Sequence, residues 1–113
     1  MIMATIKSYT DVEQSKKLAK ILALETSDMI YTTVNWYHTP FVRIEEANEF
    51  DEDDIPCWSL AALLGVLPKY ALLNFGDTIH LQVNLEVFST EGDEPLLDLV
   101  VGMIIHLNGL KML

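Results

Sequence analysis

Between Ile79 and Phe88 the chain alternates with strict period two, Ile79, Leu81, Val83, Leu85 and Val87 against His80, Gln82, Asn84 and Glu86. No other feature constrains the fold as much. A helix brings residues three or four apart onto one face, so this pattern buries a single face only as an extended strand. One apolar and one polar side is the mark of an antiparallel sheet covered on one face. Lys69–Phe75 reads as a neighbouring strand, joined through the turn sequence Gly76-Asp77-Thr78. Met29–Asn35 is rich in β-branched and aromatic residues, and Phe41–Glu45 alternates Phe41, Arg43 and Glu45 with Val42 and Ile44. Those two segments predict a hairpin. The expectation is a small antiparallel sheet of about four strands.

Three helices are expected around it. Thr10-Asp11-Val12-Glu13 has the form of a capping box and opens an amphipathic helix over about Asp11–Ala23. Ser59 is an N-cap for Leu60–Leu67, a segment apolar on every side, hence buried, and Pro68 ends it. Gly65 within it would let a neighbouring element approach closely. The last helix starts near Asp93–Pro95 and runs to about Asn108, with Gly109 at its C′ position. Asp98, Gly102 and His106 form its only stripe that is not apolar. The remaining apolar surface is wider than one sheet face covers, so Leu97, Val101, Ile104 and Ile105 are candidates for self-association into a homodimer. Helices at both ends with strands between predict an α+β fold, the helices packed on one face of the sheet, as a single domain over residues 1–113.

Charge narrows the partners. Seventeen acids against seven bases give a net charge of −10. That balance disfavours direct binding to a nucleic-acid backbone or to an anionic membrane surface. No 18-residue uncharged apolar run is present. Met1–Thr10 lacks a basic-then-apolar leader pattern, and Cys57 is the only cysteine, so a reducing cytoplasm is the expected location. Seven acids fall in the ten residues from Glu45 to Asp54, namely Glu45, Glu46, Glu49, Asp51, Glu52, Asp53 and Asp54. Charges this dense repel one another and predict a solvated loop, which is the candidate surface for a basic protein partner. The run has neither the alternating acids nor the central glycine of a calcium loop, so no metal is expected there.

Catalytic constellations are weak. A Cys–His site would need His38, His80 or His106 within hydrogen-bond reach of Cys57. Cys57 instead sits beside an apolar helix start, where a thiol is ordinarily buried and structural. The three histidines show no paired spacing, and no glycine-rich phosphate loop or nucleophile elbow occurs. Trp36 and Trp58 are read as core rather than as ligand platforms. No catalytic residue and no cofactor are expected.

Ser8–Leu24, the Pro56-Cys57-Trp58-Ser59-Leu60-Ala61-Ala62-Leu63-Leu64 stretch and a terminal helix beginning Pro95-Leu96-Leu97-Asp98 together resemble a group of small uncharacterised proteins. Those proteins are encoded by gut bacteria, often on prophage-like or mobile elements. The resemblance implies a bacterial or phage origin and transfers no activity. Where the group's terminal helix has polar positions, this chain has Val100, Val101 and Gly102. The expected function is a non-enzymatic interaction or accessory protein that self-associates through its C-terminal helix. The alternatives are an acidic inhibitor or nucleic-acid mimic that binds a basic host protein, and a hydrolytic enzyme using carboxylates or Cys57.

Overall fold

A computed structural model describes residues 7–36, 39–46 and 54–113, with 33–36 and 39–46 described by their backbone alone. The fold is α+β, as expected, but among the described residues its strands form two antiparallel sheets of three strands each rather than one sheet of four. The chain divides into two compact units, one comprising Tyr9–Ala62 and the other Leu63–Leu113 with the segment ending at Ser8.

In the first unit the predicted hairpin forms. Strand β1 (Met29–Trp36) pairs antiparallel with β2 (Thr39–Glu46), from Met29 opposite Glu46 to Trp36 opposite Thr39. On the other side of β1 lies β3 (Ile55–Cys57), a strand that was not among those expected from the sequence. Pro56 has no N–H for a ladder, and β3 is an edge strand, where proline is tolerated. Helix α1 (Val12–Leu18) packs against β3.

The N-cap of α1 is Asp11, one residue after the expected Thr10. Asp11 Oδ1 accepts the Gln14 N–H at 2.8 Å, and Gln14 Oε1 accepts the Asp11 N–H at 3.0 Å. Thr10 is not free to cap because its backbone extends the sheet. Tyr9 bridges Ser59, and the Thr10 N–H donates to the Trp58 carbonyl at 3.0 Å. The helix also stops at Leu18, short of the expected Ala23, and the following residues tighten into bonds such as Ile21 N–H to Leu18 C=O.

Helix α2 (Leu60–Val66) begins as predicted, with Ser59 Oγ accepting the Ala62 N–H at 3.2 Å. It is not buried all round. Leu63 and Leu67 are buried, whereas Ala61 and Gly65 are exposed. Among the described residues, nothing beyond its chain neighbours and the helix's own backbone lies within 4 Å of where a Cβ on Gly65 would be, so no neighbouring element approaches this glycine closely.

The second unit holds β4 (Tyr70–Phe75), β5 (Thr78–Val83) and β6 (Glu86–Ser89), ordered β4-β5-β6, with α3 (Leu96–Gly109) packed on β5 and β6. Gly76, at φ 64, supplies the left-handed residue of the two-residue turn between β4 and β5. The long alternating segment turns out to be two strands. Asn84 adopts φ 54, and Asn84-Leu85 forms a second tight turn. Ile79, Leu81 and Val83 share a face as predicted. Leu85, at the turn, is 95% exposed. Val87 lies opposite Gln82 and so on the other face from Leu81. Asparagine tolerates the left-handed conformation better than other non-glycine residues, which is how a turn hides inside an unbroken alternation.

Helix α3 buries Leu97, Leu99, Val100, Val101, Met103, Ile104 and Leu107. Its stripe of Asp98, Gly102 and His106 is engaged rather than simply solvated. Asp98 pairs with Lys7 at 2.9 Å, and the Phe88 ring lies over Gly102, 3.6 Å from where its Cβ would be. His106 Nε2 meets Glu86 Oε2 at 2.9 Å. The helix ends in a Schellman arrangement two residues beyond the expected Gly109. Met112 N–H reaches the Leu107 carbonyl and Lys111 N–H the Asn108 carbonyl, with Lys111 at φ 60 in the C′ position. Among the described residues no helix is long and apolar enough to cross a membrane.

Candidate interaction surface

Cys57 is fully buried at the end of β3 inside a closed polar cluster. Its thiol donates to the Thr10 carbonyl at 3.4 Å and accepts from the Thr10 hydroxyl at 3.5 Å. The Thr10 hydroxyl also accepts the Trp58 N–H at 3.1 Å and lies 2.7 Å from Ser15 Oγ. Tyr31 donates its hydroxyl to the Thr10 carbonyl at 2.6 Å. One consistent assignment satisfies all of these groups: Ser15 donates to Thr10, and Thr10 donates to Cys57. Among the described residues no buried side-chain nitrogen or oxygen lacks a partner.

The electrostatics of the cluster oppose thiolate chemistry. Burial pushes the Cys57 thiol above its usual range, outweighing the Thr10, Ser15 and Tyr31 hydroxyls that favour the anion. Burial, with Cys57 adding to it, pushes the Tyr31 hydroxyl up to about 12. Among the described residues, no imidazole or carboxylate is a hydrogen-bond partner of Cys57. The arrangement holds a strand, a helix start and a tyrosine together. Trp58 is likewise fully buried, its indole N–H donating to Thr26 Oγ1 at 2.9 Å.

The other candidates from sequence are placed as follows. Glu45 and Glu46 belong to β2, opposite Ile30 and Met29, so the acidic run starts within a strand. Glu49, Asp51, Glu52 and Asp53 lie outside the described residues, and Asp54, half-buried, leads into β3. His38 also lies outside the described residues. His80 Nδ1 contacts Ser89 Oγ, and its ring packs edge-on against Phe75, with centroids 5.0 Å apart. Of the four residues expected to carry self-association, Leu97, Val101 and Ile104 are buried within the chain, and only Ile105 is exposed, at 39%. A face already covered in this way offers little to a second subunit.

A run of consecutive exposed apolar residues lies on β4. All six residues from Tyr70 to Phe75 are exposed, and none is charged or proline. Pairing with β5 sets the sides. Tyr70, Leu72 and Asn74 fall on the face shared with Val83, Leu81 and Ile79, while Ala71, Leu73 and Phe75 fall on the face shared with Gln82, His80 and Thr78. Leu73 is 44% and Phe75 62% exposed. Val87 of β6 adds to the open face beside Gln82.

Among the described residues no strand lies on the other side of β4, and that edge also presents backbone. Ile79 donates its N–H to Thr90 Oγ1 at 3.0 Å and accepts the Thr90 N–H at 2.9 Å, so its polar groups turn away from β4. Its register partner Asn74 therefore directs its own N–H and C=O to the free edge, and alternation extends this to Leu72 and Tyr70. Uncapped edges of this kind are templates for another strand. Sequence reasoning found β4 as a strand but not its position at the edge, because strand order is not encoded in periodicity. No protein-family model, curated protein or solved structure matches the chain.

Proposed function

We propose that this chain is a non-enzymatic interaction protein that acts by strand addition at the β4 edge. The observation that carries this reading is an uncharged, proline-free edge strand whose six residues are all exposed. The closed and neutral Cys57 cluster supports it, since the thiol is shielded instead of activated. A bacterial or phage origin and action in the cytoplasm complete the proposal, on the resemblance of the Pro56–Leu64 stretch and on the single, buried cysteine.

The test is a peptide copying Tyr70–Phe75, flanked by solubilising residues, titrated into the protein and followed by amide exchange. Binding should slow exchange at Leu72 and Asn74, whose N–H groups face the edge, and leave Leu73 unchanged. A peptide that saturates without protecting those two amides, or fails to bind at millimolar concentration, contradicts strand addition.

A further inference from the structure

We infer that the strand added to β4 is β4 of a second copy of this chain, paired antiparallel about a two-fold axis at Leu73, so that two three-stranded sheets become one of six. The inference rests on the strand-addition reading and specifies its occupant. Antiparallel pairing of identical edges places the axis normal to the sheet, so each residue meets one on the same face. The axis must then pass through a residue, and the middle of β4 offers Leu72 or Leu73.

Complementarity selects Leu73. With the axis there, Lys69 meets Asp77, Ala71 meets Phe75, Tyr70 meets Gly76 and Leu73 meets its own copy. Phe75 faces the small Ala71, Tyr70 faces Gly76, and each charge at the strand's ends faces its opposite. With the axis at Leu72, Lys69 would meet Phe75 and Tyr70 would meet Asn74, and both gains are lost. Neither Lys69 nor Asp77 forms an ion pair among the described residues. The backbone agrees as well. Leu72 and Asn74 both direct N–H and C=O outward, and in this register they oppose each other and exchange two bonds at each of two symmetric positions. A net charge of −10 on each copy works against association at long range, so pairing should tighten as salt screens it.

Sedimentation over about 1 µM to about 1 mM should show a concentration-dependent dimer, within the range expected of an interface below standard size. Asn74→Pro removes an outward N–H from an edge strand, a place where proline is tolerated, so the monomer should keep its circular dichroism while dimer affinity falls at least about tenfold. Lys69→Asp should weaken the dimer, and adding Asp77→Lys should restore it. Leu73→Cys should form an interchain disulfide on mild oxidation, because a non-hydrogen-bonded antiparallel pair brings Cα atoms to about 4.5 Å. Leu72→Cys should not. A wild-type chain that stays monomeric to about 1 mM while still binding the β4 peptide overturns self-pairing and leaves strand addition standing. A dimer indifferent to Asn74→Pro overturns self-pairing too, and cross-linking at Leu72 instead of Leu73 overturns the register.

Discussion

Thr10 shows how much one residue can be asked to do. Its N–H extends the first sheet, its carbonyl takes the Tyr31 hydroxyl and the Cys57 thiol, and its own hydroxyl takes the Trp58 N–H. Thr10→Val keeps the shape and removes the hydroxyl, which strands a buried N–H. The expected loss is about 2 kcal/mol, read as a lowered urea midpoint with an unchanged slope. Cys57 and Tyr31 give the cluster a pH signature. Both are neutral in the fold and resist ionisation there, so above their ordinary values of 9.0 and 10.0 the unfolded chain loses protons that the native chain keeps. Stability contributed by these groups is thus complete below about pH 9 and declines as pH rises toward the Tyr31 value of about 12. Urea midpoints should fall across that window. Tyr31→Phe should flatten the upper part of the decline and Cys57→Ala the lower, whatever either does to stability at neutral pH.

At the scale of elements, periodicity and capping chemistry carried the sequence far. The β1–β2 hairpin and the Ser59 cap were legible because each depends on residues close in sequence, and the burial of Cys57 and Trp58 because both are residue types that ordinarily pack inside. What stayed hidden depends on partners far along the chain. The cap of α1 moved from Thr10 to Asp11 because Trp58 claims Thr10. The Ile79–Phe88 alternation conceals a turn because Asn84 takes the left-handed conformation with no glycine or proline to mark it, and the two-residue connection then moves Val87 to the other face. The burial of Leu97, Val101 and Ile104 stayed hidden for the same reason, since hydropathy shows that α3 is apolar but not that the chain buries it. Two substitutions test the helix ends and interior as drawn. Lys111→Gly puts the preferred residue at a C′ position with φ 60 and should stabilise by about 1 kcal/mol. Gly65→Ala, in an exposed helix position open to a Cβ, should add roughly 0.5–1 kcal/mol, both measured by thermal unfolding.

At the scale of the whole molecule, the acidic surface and the uncharged β4 edge have opposite effects. Charge keeps copies apart, while an edge of exposed tyrosine, leucine and phenylalanine invites pairing. Natural sheets usually guard such an edge with a lysine, a proline or a bulge, and here the nearest charges, Lys69 and Asp77, stand just outside the strand at its two ends. That placement leaves the edge usable and gives it a direction. The most direct test is amide exchange on the wild-type chain at low and at high protein concentration. Exchange at Leu72 and Asn74 should slow as concentration rises, with Ala71 and Leu73, already turned toward β5, showing no change. Identical rates at Leu72 and Asn74 at every concentration would contradict the pairing of β4 with its own copy.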